Sequence, residues 1–391
     1  MLESLFLVSD GFRSRRLYTA LLMSTRAKKS AISHAAGVVL SLTIAIAAIP
    51  CVTADTGGEH PFRQCWQYKF DDAGGQVSAD GETVFVSVNP AVIRAVEVKS
   101  GRNLWTSDLG GLLVSNLLVT DDAVFAVTGQ TSQSPYEKAI LRSLSKQTGI
   151  TNWTLQLPSE KKVWLGGGGN GIVVMVGESG TITAVSAPER AVRWSAQAGG
   201  LNAEPVVFDG KLLVDSVDNR TSVFSMTDGR RTSTFLSALG ATAVSFLFED
   251  KVGIGDERGN IYLFELGENT PAWTHKNGAK IASIQMTEYG SLAASNDNFL
   301  YLMSPGGDVI WKRRLPSRPS IRPVNIGEFA FVAASGEKSL YVVNLKSGKF
   351  TDQIALDGEA VGAVSIPGEK GIAVLETDSL VRFSSTENCS E

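Results

Sequence analysis

The sequence predicts an all-β fold, an eight-bladed β-propeller, on three observations. A unit carrying a glycine turn and a tryptophan recurs at a period near 40 residues. Six of the seven tryptophans occupy one position of that unit, and nothing beyond residue 60 has the apolar spacing of a long amphipathic helix. Repeats of this length made of several short strands build propeller blades. The 391 residues are 43% hydrophobic and 19% charged, with 39 glycines and 3 cysteines, which excludes a disordered chain, a collagen-like fibre and a disulfide-rich miniprotein. A formal net charge of -4 gives no footing for nucleic acid.

The first 54 residues differ in kind from the rest. Six basic and two acidic residues precede Asp55, so this leader carries +4 and the remainder of the chain -8. Ala35 to Ala54 holds no charge, with an apolar centre from Gly37 to Ile49, a helix-breaking Pro50 and the exit Val52-Thr53-Ala54. Basic head, apolar middle and small-residue exit are the parts of a secretory signal, which predicts an exported protein of the periplasm or cell envelope. Met23, followed by Arg26, Lys28 and Lys29, gives a head of ordinary length, so residues 1–22 read as an overlong start or a tail. About 20 uncharged residues also span a bilayer, and the alternative is a protein anchored in the membrane by residues 35–54. Cys51 is a candidate for lipid anchoring, although Ile49-Pro50 before it makes a poor lipobox. Residues 55–64 then form a linker and 65–391 the propeller.

The clearest copies of the unit run from Ala95 to Trp105 and from Leu144 to Trp153, with Gly101 and Gly149 four residues before the tryptophan; Gly307 and Trp311 repeat that offset. Copies ending at Trp194 and Trp273 have lost the glycine, whereas Gly229 and Gly348 survive before Ser233 and Asp352. Trp66 belongs to a second run with no first run ahead of it. The equivalent positions 66, 105, 153, 194, 233, 273, 311 and 352 lie 39, 48, 41, 39, 40, 38 and 41 residues apart. Alternating residues bury one face of each strand, glycine supplies positive φ in the tight turn, and tryptophan gives each blade an apolar plate for its neighbour.

The next tryptophan of the series would fall near 392, and Trp66 is the orphan that fits the place. The last blade is therefore expected to take its inner strands from about 356 to 385 and its outer strand from 65–70, which leaves no free sheet edge. Cys65 and Cys389 fall at this same seam, close enough for a disulfide of the kind an exported protein keeps. Two unpaired thiols are the alternative.

Aspartate, serine or threonine, then glycine, then tryptophan four residues later, repeated over about residues 65–390, resembles the PQQ-like (pyrrolo-quinoline quinone) repeat β-propeller family. Among its members the chain is similar to the BamB group of outer-membrane assembly lipoproteins. That resemblance implies an eight-bladed monomeric ring in which Trp66, Trp105, Trp153, Trp194, Trp273 and Trp311 dock blade on blade. It also implies a scaffold that binds other envelope proteins through the loops of one face. The catalytic branch of the family carries a vicinal cysteine pair beside the quinone and a calcium held by Glu, Asn and Asp; no two cysteines adjoin here.

The expectation is accordingly a non-enzyme with no cofactor and no metal. His60 and His275, with cysteines only at the two ends, lack the spacing of a zinc site. A degenerate quinoprotein or a glycan-cleaving propeller using the central funnel is the alternative. The acidic clusters 215–219, 256–260 and 296–298 lack the spacing of a calcium loop and read as hairpin turns. Gly166 to Gly171 lacks the Lys-Ser/Thr and the helix of a phosphate loop, and reads as a flexible connection into the next blade's first strand.

Binding is the expected work. In a propeller the connections between blades and the loops joining second to third strands emerge on one face. The 48-residue interval places an insertion at Gly129 to Lys138, and the next connection, Pro158 to Gly171, holds Lys161, Lys162 and Trp164. Tyr136 and Trp164 are candidate aromatic anchors, a residue type that dominates binding hot spots. The segment Lys312 to Arg322, with Arg313, Arg314, Arg318 and Arg322, has five cations and no anion. It is a positive spot suited to an acidic partner or anionic lipid headgroups. The alternatives are that the aromatic residues fold back on their own loops and that the basic segment is merely solvated.

Overall fold

The computed structural model describes residues 62–129, 138–236, 240–248, 250–385 and 389, and every regular element among them is a β-strand. The leader at 1–54 and the linker as far as residue 61 lie outside the described residues. The strands form eight antiparallel sheets. Blade 1 spans 74–108, blade 2 112–158, blade 3 163–197, blade 4 206–236, blade 5 241–276, blade 6 281–314 and blade 7 324–355. Blade 8 takes three strands from 360–385 and its fourth from Phe62–Lys69. We letter the strands of a blade a to d in sheet order, with d the strand that carries the repeated tryptophan. Strand a of blade 8 packs on those of blades 7 and 1, and strand a of blade 5 on those of blades 4 and 6, so the a strands surround the axis. In blade 2 this strand is broken into Leu112–Leu113 and Leu118–Val119, both paired with Ala123–Gly129.

The ring closes through the N-terminal strand, which pairs from Phe62↔Ser385 to Lys69↔Ser379. It begins three residues ahead of the expected 65, because Phe62 is itself core: 5% exposed, with its ring edge-on to Phe331 at 4.7 Å and Phe329 at 5.5 Å. A bulge between Gln64 and Trp66 leaves Cys65 out of the ladder. Cys65 is bonded to Cys389 across 324 residues of chain, with Cα atoms 5.3 Å apart.

Alternation in strands b and c buries valine, isoleucine, leucine and phenylalanine on both faces, because each sheet has a neighbour on either side. The strand Thr83–Val88 is buried at all six positions. Each d strand instead alternates with solvent, and in six of the eight blades it carries a tryptophan that faces the turn between strands c and d of the following blade. In five seams the indole lies on a glycine of that turn: Trp66 on Gly101, Trp105 on Gly149, Trp194 on Gly229, Trp273 on Gly307 and Trp311 on Gly348. A Cβ at any of these glycines would come within 2.4 to 2.7 Å of the indole, and each has φ between +63° and +91°. The buried edge of the ring needs a hydrogen-bond acceptor. In these five seams Nε1 donates to a carbonyl of the same turn, at 2.7, 2.9, 3.1, 2.9 and 2.6 Å in that order.

Candidate functional site

The connections from strand d to strand a and the turns from b to c share one face of the ring, here called upper; the a–b and c–d turns share the lower face. On the upper side the a strands of blades 3 to 6 leave an opening around the axis, and several charged and aromatic side chains gather at its mouth.

Trp164 is second in strand a of blade 3, Val163–Gly167, and not in a loop as the sequence suggested. Period two explains its placement. Val163 and Leu165 turn into the blade 2 interface at 1% and 7% exposure, so Trp164, paired with Val176, turns the other way. Its Nε1 is buried and has no hydrogen-bond partner among the described residues. The glycine run likewise differs from expectation: Gly166 and Gly167 end strand a, and the rest forms the a–b turn on the lower face. The connection on the upper face is therefore short, residues 159–162, and holds the exposed Lys161 and Lys162.

Arg322 comes from the other side of the ring, in the connection between blades 6 and 7. With Trp164 it lines one cavity of about 290 Å³. It also borders a smaller one of about 110 Å³ with Glu204. Its Nε donates to Gln285 Oε1 at 3.0 Å and Nη2 to the Ile284 carbonyl at 3.3 Å. The side chain keeps contact with the water of the funnel, yet the protein around it desolvates the guanidinium and lowers its pKa from the ordinary arginine value, with Glu204 opposing the shift. Lys162 Nζ lies 4.6 Å from the centre of the Trp164 ring and 3.8 Å from Glu204 Oε1. Lys161 and Lys162 also border an adjoining cavity of about 430 Å³ beside Gln76 and Pro90. The mouth thus combines three cations, one carboxylate and an indole with an unused donor, a set suited to polar and acidic segments of a protein surface.

The remaining candidates do not join this group. Arg313 is turned to the outer seam, where its Nε donates to the Gly348 carbonyl and its Nη2 to that of Ser347 at 3.3 Å. Arg314 ends strand d of blade 6, Val309–Arg314, and Arg318 is exposed in the connection that follows. Tyr136 lies outside the described residues. Glu204 and Gln285 were missed by sequence reasoning. Both act through positions in or beside the funnel where no repeat signal falls, although aligning the d–a connections by register would have placed Glu204 on the same face.

The acidic clusters are occupied by their own turns. Asp256 accepts from the backbone amides of Arg258 and Asn260 at 2.9 and 2.8 Å, and from Asn260 Nδ2 at 2.7 Å. Asp297 accepts from the Tyr301 hydroxyl at 2.6 Å, and burial together with this bond and the carboxylate's charge raises the tyrosine's pKa. Among the described residues no group of three His, Cys, Asp or Glu side chains is placed to hold a metal ion.

Comparison with known proteins agrees with this architecture. The sequence profile described as "Outer membrane protein assembly factor BamB" matches residues 51–167 and 137–302. The outer membrane protein assembly factor BamB of Yersinia pestis is 23% identical over 313 residues, 73% of this chain and 77% of that protein. The crystal structure of BamB from Moraxella catarrhalis superposes with a TM-score of 0.65 at 14% identity, covering 83% of this chain and 98% of that one. The computationally designed Ika8 protein superposes with a TM-score of 0.67, also at 14% identity, covering 81% and 97%. Those two share the fold alone, but the profile covers well over half of the sequence, and the chain belongs to the BamB family of PQQ-like repeat β-propellers.

Proposed function

We propose that this chain is an exported, non-catalytic scaffold of the cell envelope, a monomer that holds other envelope proteins at the upper mouth of its funnel. The observation that carries the reading is the convergence of Lys162 and Trp164, Glu204, and Arg322, from three separate segments of the chain, around one opening that includes a buried indole N–H without an acceptor. An unmade hydrogen bond of that kind is unfavourable until a partner supplies the acceptor. Export is supported by the signal-like leader and by the Cys65–Cys389 bond, which needs an oxidising compartment. The names of the BamB relatives support assembly of outer-membrane proteins as the setting.

Affinity purification from native membranes, read by mass spectrometry, tests the proposal. Wild-type protein is expected to bring down envelope proteins, and a Trp164→Ala, Arg322→Ala double variant to lose them, while Arg313→Ala on the outer seam keeps them. An unchanged set of companions in the double variant overturns the site. A wild-type chain that brings down no envelope protein overturns the scaffold reading itself.

A further inference from the structure

The seam between blades 2 and 3 is built differently from the other tryptophan seams. Trp153 holds the repeat position of blade 2, but the turn it faces in blade 3 carries Arg190 where five other turns carry glycine. Arg190 keeps the same left-handed backbone, φ +55°, and its amide donates to the Ser186 carbonyl as that of Gly149 does to Ser145. Only the Cβ is new. Since a Cβ in the other five turns would sit within 2.4 to 2.7 Å of the docked ring, Trp153 cannot lie where its five counterparts lie. Among the described residues no turn carbonyl accepts from its Nε1.

The space so released is a cavity of about 650 Å³ on the lower face, bounded by Trp153, Phe125, Pro188 and the glycine turn 167–171. That volume is in the ordinary range for small-ligand sites. It reaches inward to Phe125, 3% exposed, whose ring centre is 5.9 Å from that of Trp153. The two blades are meanwhile fastened near the axis. Asn116 bridges to Leu165 by accepting from its amide at 2.7 Å and donating to its carbonyl at 3.1 Å, and the Val163 amide donates to the Val114 carbonyl at 2.8 Å. The seam is held without the docked indole, so the cavity is not a packing failure that the fold must repair.

We propose that this cavity binds a neutral saccharide, with Trp153 as the stacking plate. The rim carries Asp121 and Asp122 from blade 2 and Arg190 from blade 3, none of them in an ion pair among the described residues, and Asn152. An anion would face two carboxylates and a cation a guanidinium. A hydroxyl both donates and accepts, and it matches carboxylate, amide and guanidinium together. The C–H face of a pyranose ring matches the flat indole, whose remaining polar atom, Nε1–H, is a further donor. The upper mouth, with three cations to one carboxylate, has a different chemistry, so this site is independent of the proposed scaffold role.

The test uses full-length protein labelled with ¹⁵N at its tryptophan indoles and titrated with cellohexaose to about 10 mM. The Trp153 indole resonance, assigned through Trp153→Phe, is expected to shift and saturate while the five docked indoles stay still. Arg190→Gly restores the turn found in the other seams. It is expected to move the Trp153 resonance toward the hydrogen-bonded group and to reduce sugar affinity by about tenfold or more with the ring intact. A Trp153 resonance that does not respond to sugar overturns the proposal. So does an equal response in Arg190→Gly, or an equal response of the wild type to a short peptide.

Discussion

The closing seam between blades 8 and 1 and the seam between blades 2 and 3 start from the same repeat and end as opposites. At the closing seam the Val98 carbonyl accepts two donors, the half-buried Trp66 Nε1 at 2.7 Å and the buried Arg382 Nη1 at 2.9 Å. Arg382, 1% exposed, is neutralised by Glu369 at 2.6 Å, and the Cys65–Cys389 bond ties the outer edge. At the blade 2–3 seam one side chain at a glycine position displaces the tryptophan and leaves a cavity of about 650 Å³. The difference teaches that a propeller's seams are not equal partitions of its stability. The chain's two ends meet inside blade 8, where strands c and d have no backbone link between them, and the contacts around that junction are over-determined. In blades 2 and 3 the hairpin from c to d is continuous, and the outer contact is free to diverge into a site.

The largest expected effect lies at the closing seam. Arg382→Ala empties a fully buried side-chain site, leaves the partly buried Glu369 without its partner and removes one of two donors to Val98. It should lower unfolding free energy by about 3 to 5 kcal/mol, read as a shift in urea midpoint. A loss of less than about 1 kcal/mol, the worth of a surface pair, would show that the buried ion pair does not hold the ring shut.

Reduction of the disulfide should follow, at about 3 kcal/mol. It links positions 324 residues apart and so constrains most of the unfolded chain. Thermal melts with and without reductant should differ for the wild type and coincide for Cys65→Ser. If reductant lowers the melting temperature of Cys65→Ser as much as that of the wild type, the bond is not what closes the outer edge.

This contrast was half legible in the sequence. The period, the tryptophan positions and the orphan Trp66 place eight blades and their closure, because each depends on residues that repeat at fixed offsets. The buried Arg382 was not legible, since one arginine in a strand reads as a solvated side chain until Glu369 and Val98 are seen beside it. Trp164 and the glycine run were misplaced by a few residues, which moved one from a loop to a strand and the other to the opposite face. Pattern cannot separate the end of a d–a connection from the start of a short strand when Val163, Trp164 and Leu165 continue the apolar run. The loss of glycine before Trp194 was visible. Its consequence was not, because the side chain it displaces belongs to the preceding blade, 37 residues earlier.

The smallest effects test that consequence directly, by exchanging the turns. Gly149→Ala places a Cβ 2.4 Å from Trp105 in a backbone at φ +70°, so it should cost about 2 kcal/mol through strain and displacement of the indole. Arg190→Gly should do the reverse. It relieves a left-handed non-glycine residue, worth about 1 to 2 kcal/mol, and lets Trp153 regain a turn acceptor, worth about 1 kcal/mol. Against this stands the extra freedom of glycine in the unfolded chain, about 0.5 to 1 kcal/mol. The balance is a gain of about 1 to 2.5 kcal/mol, opposite in sign to most substitutions. Urea midpoints of the two variants should therefore move in opposite directions. If Arg190→Gly is instead destabilising, the cavity is maintained by contacts other than the clash of one Cβ with one indole, and the two seams differ for a reason that lies outside the turn.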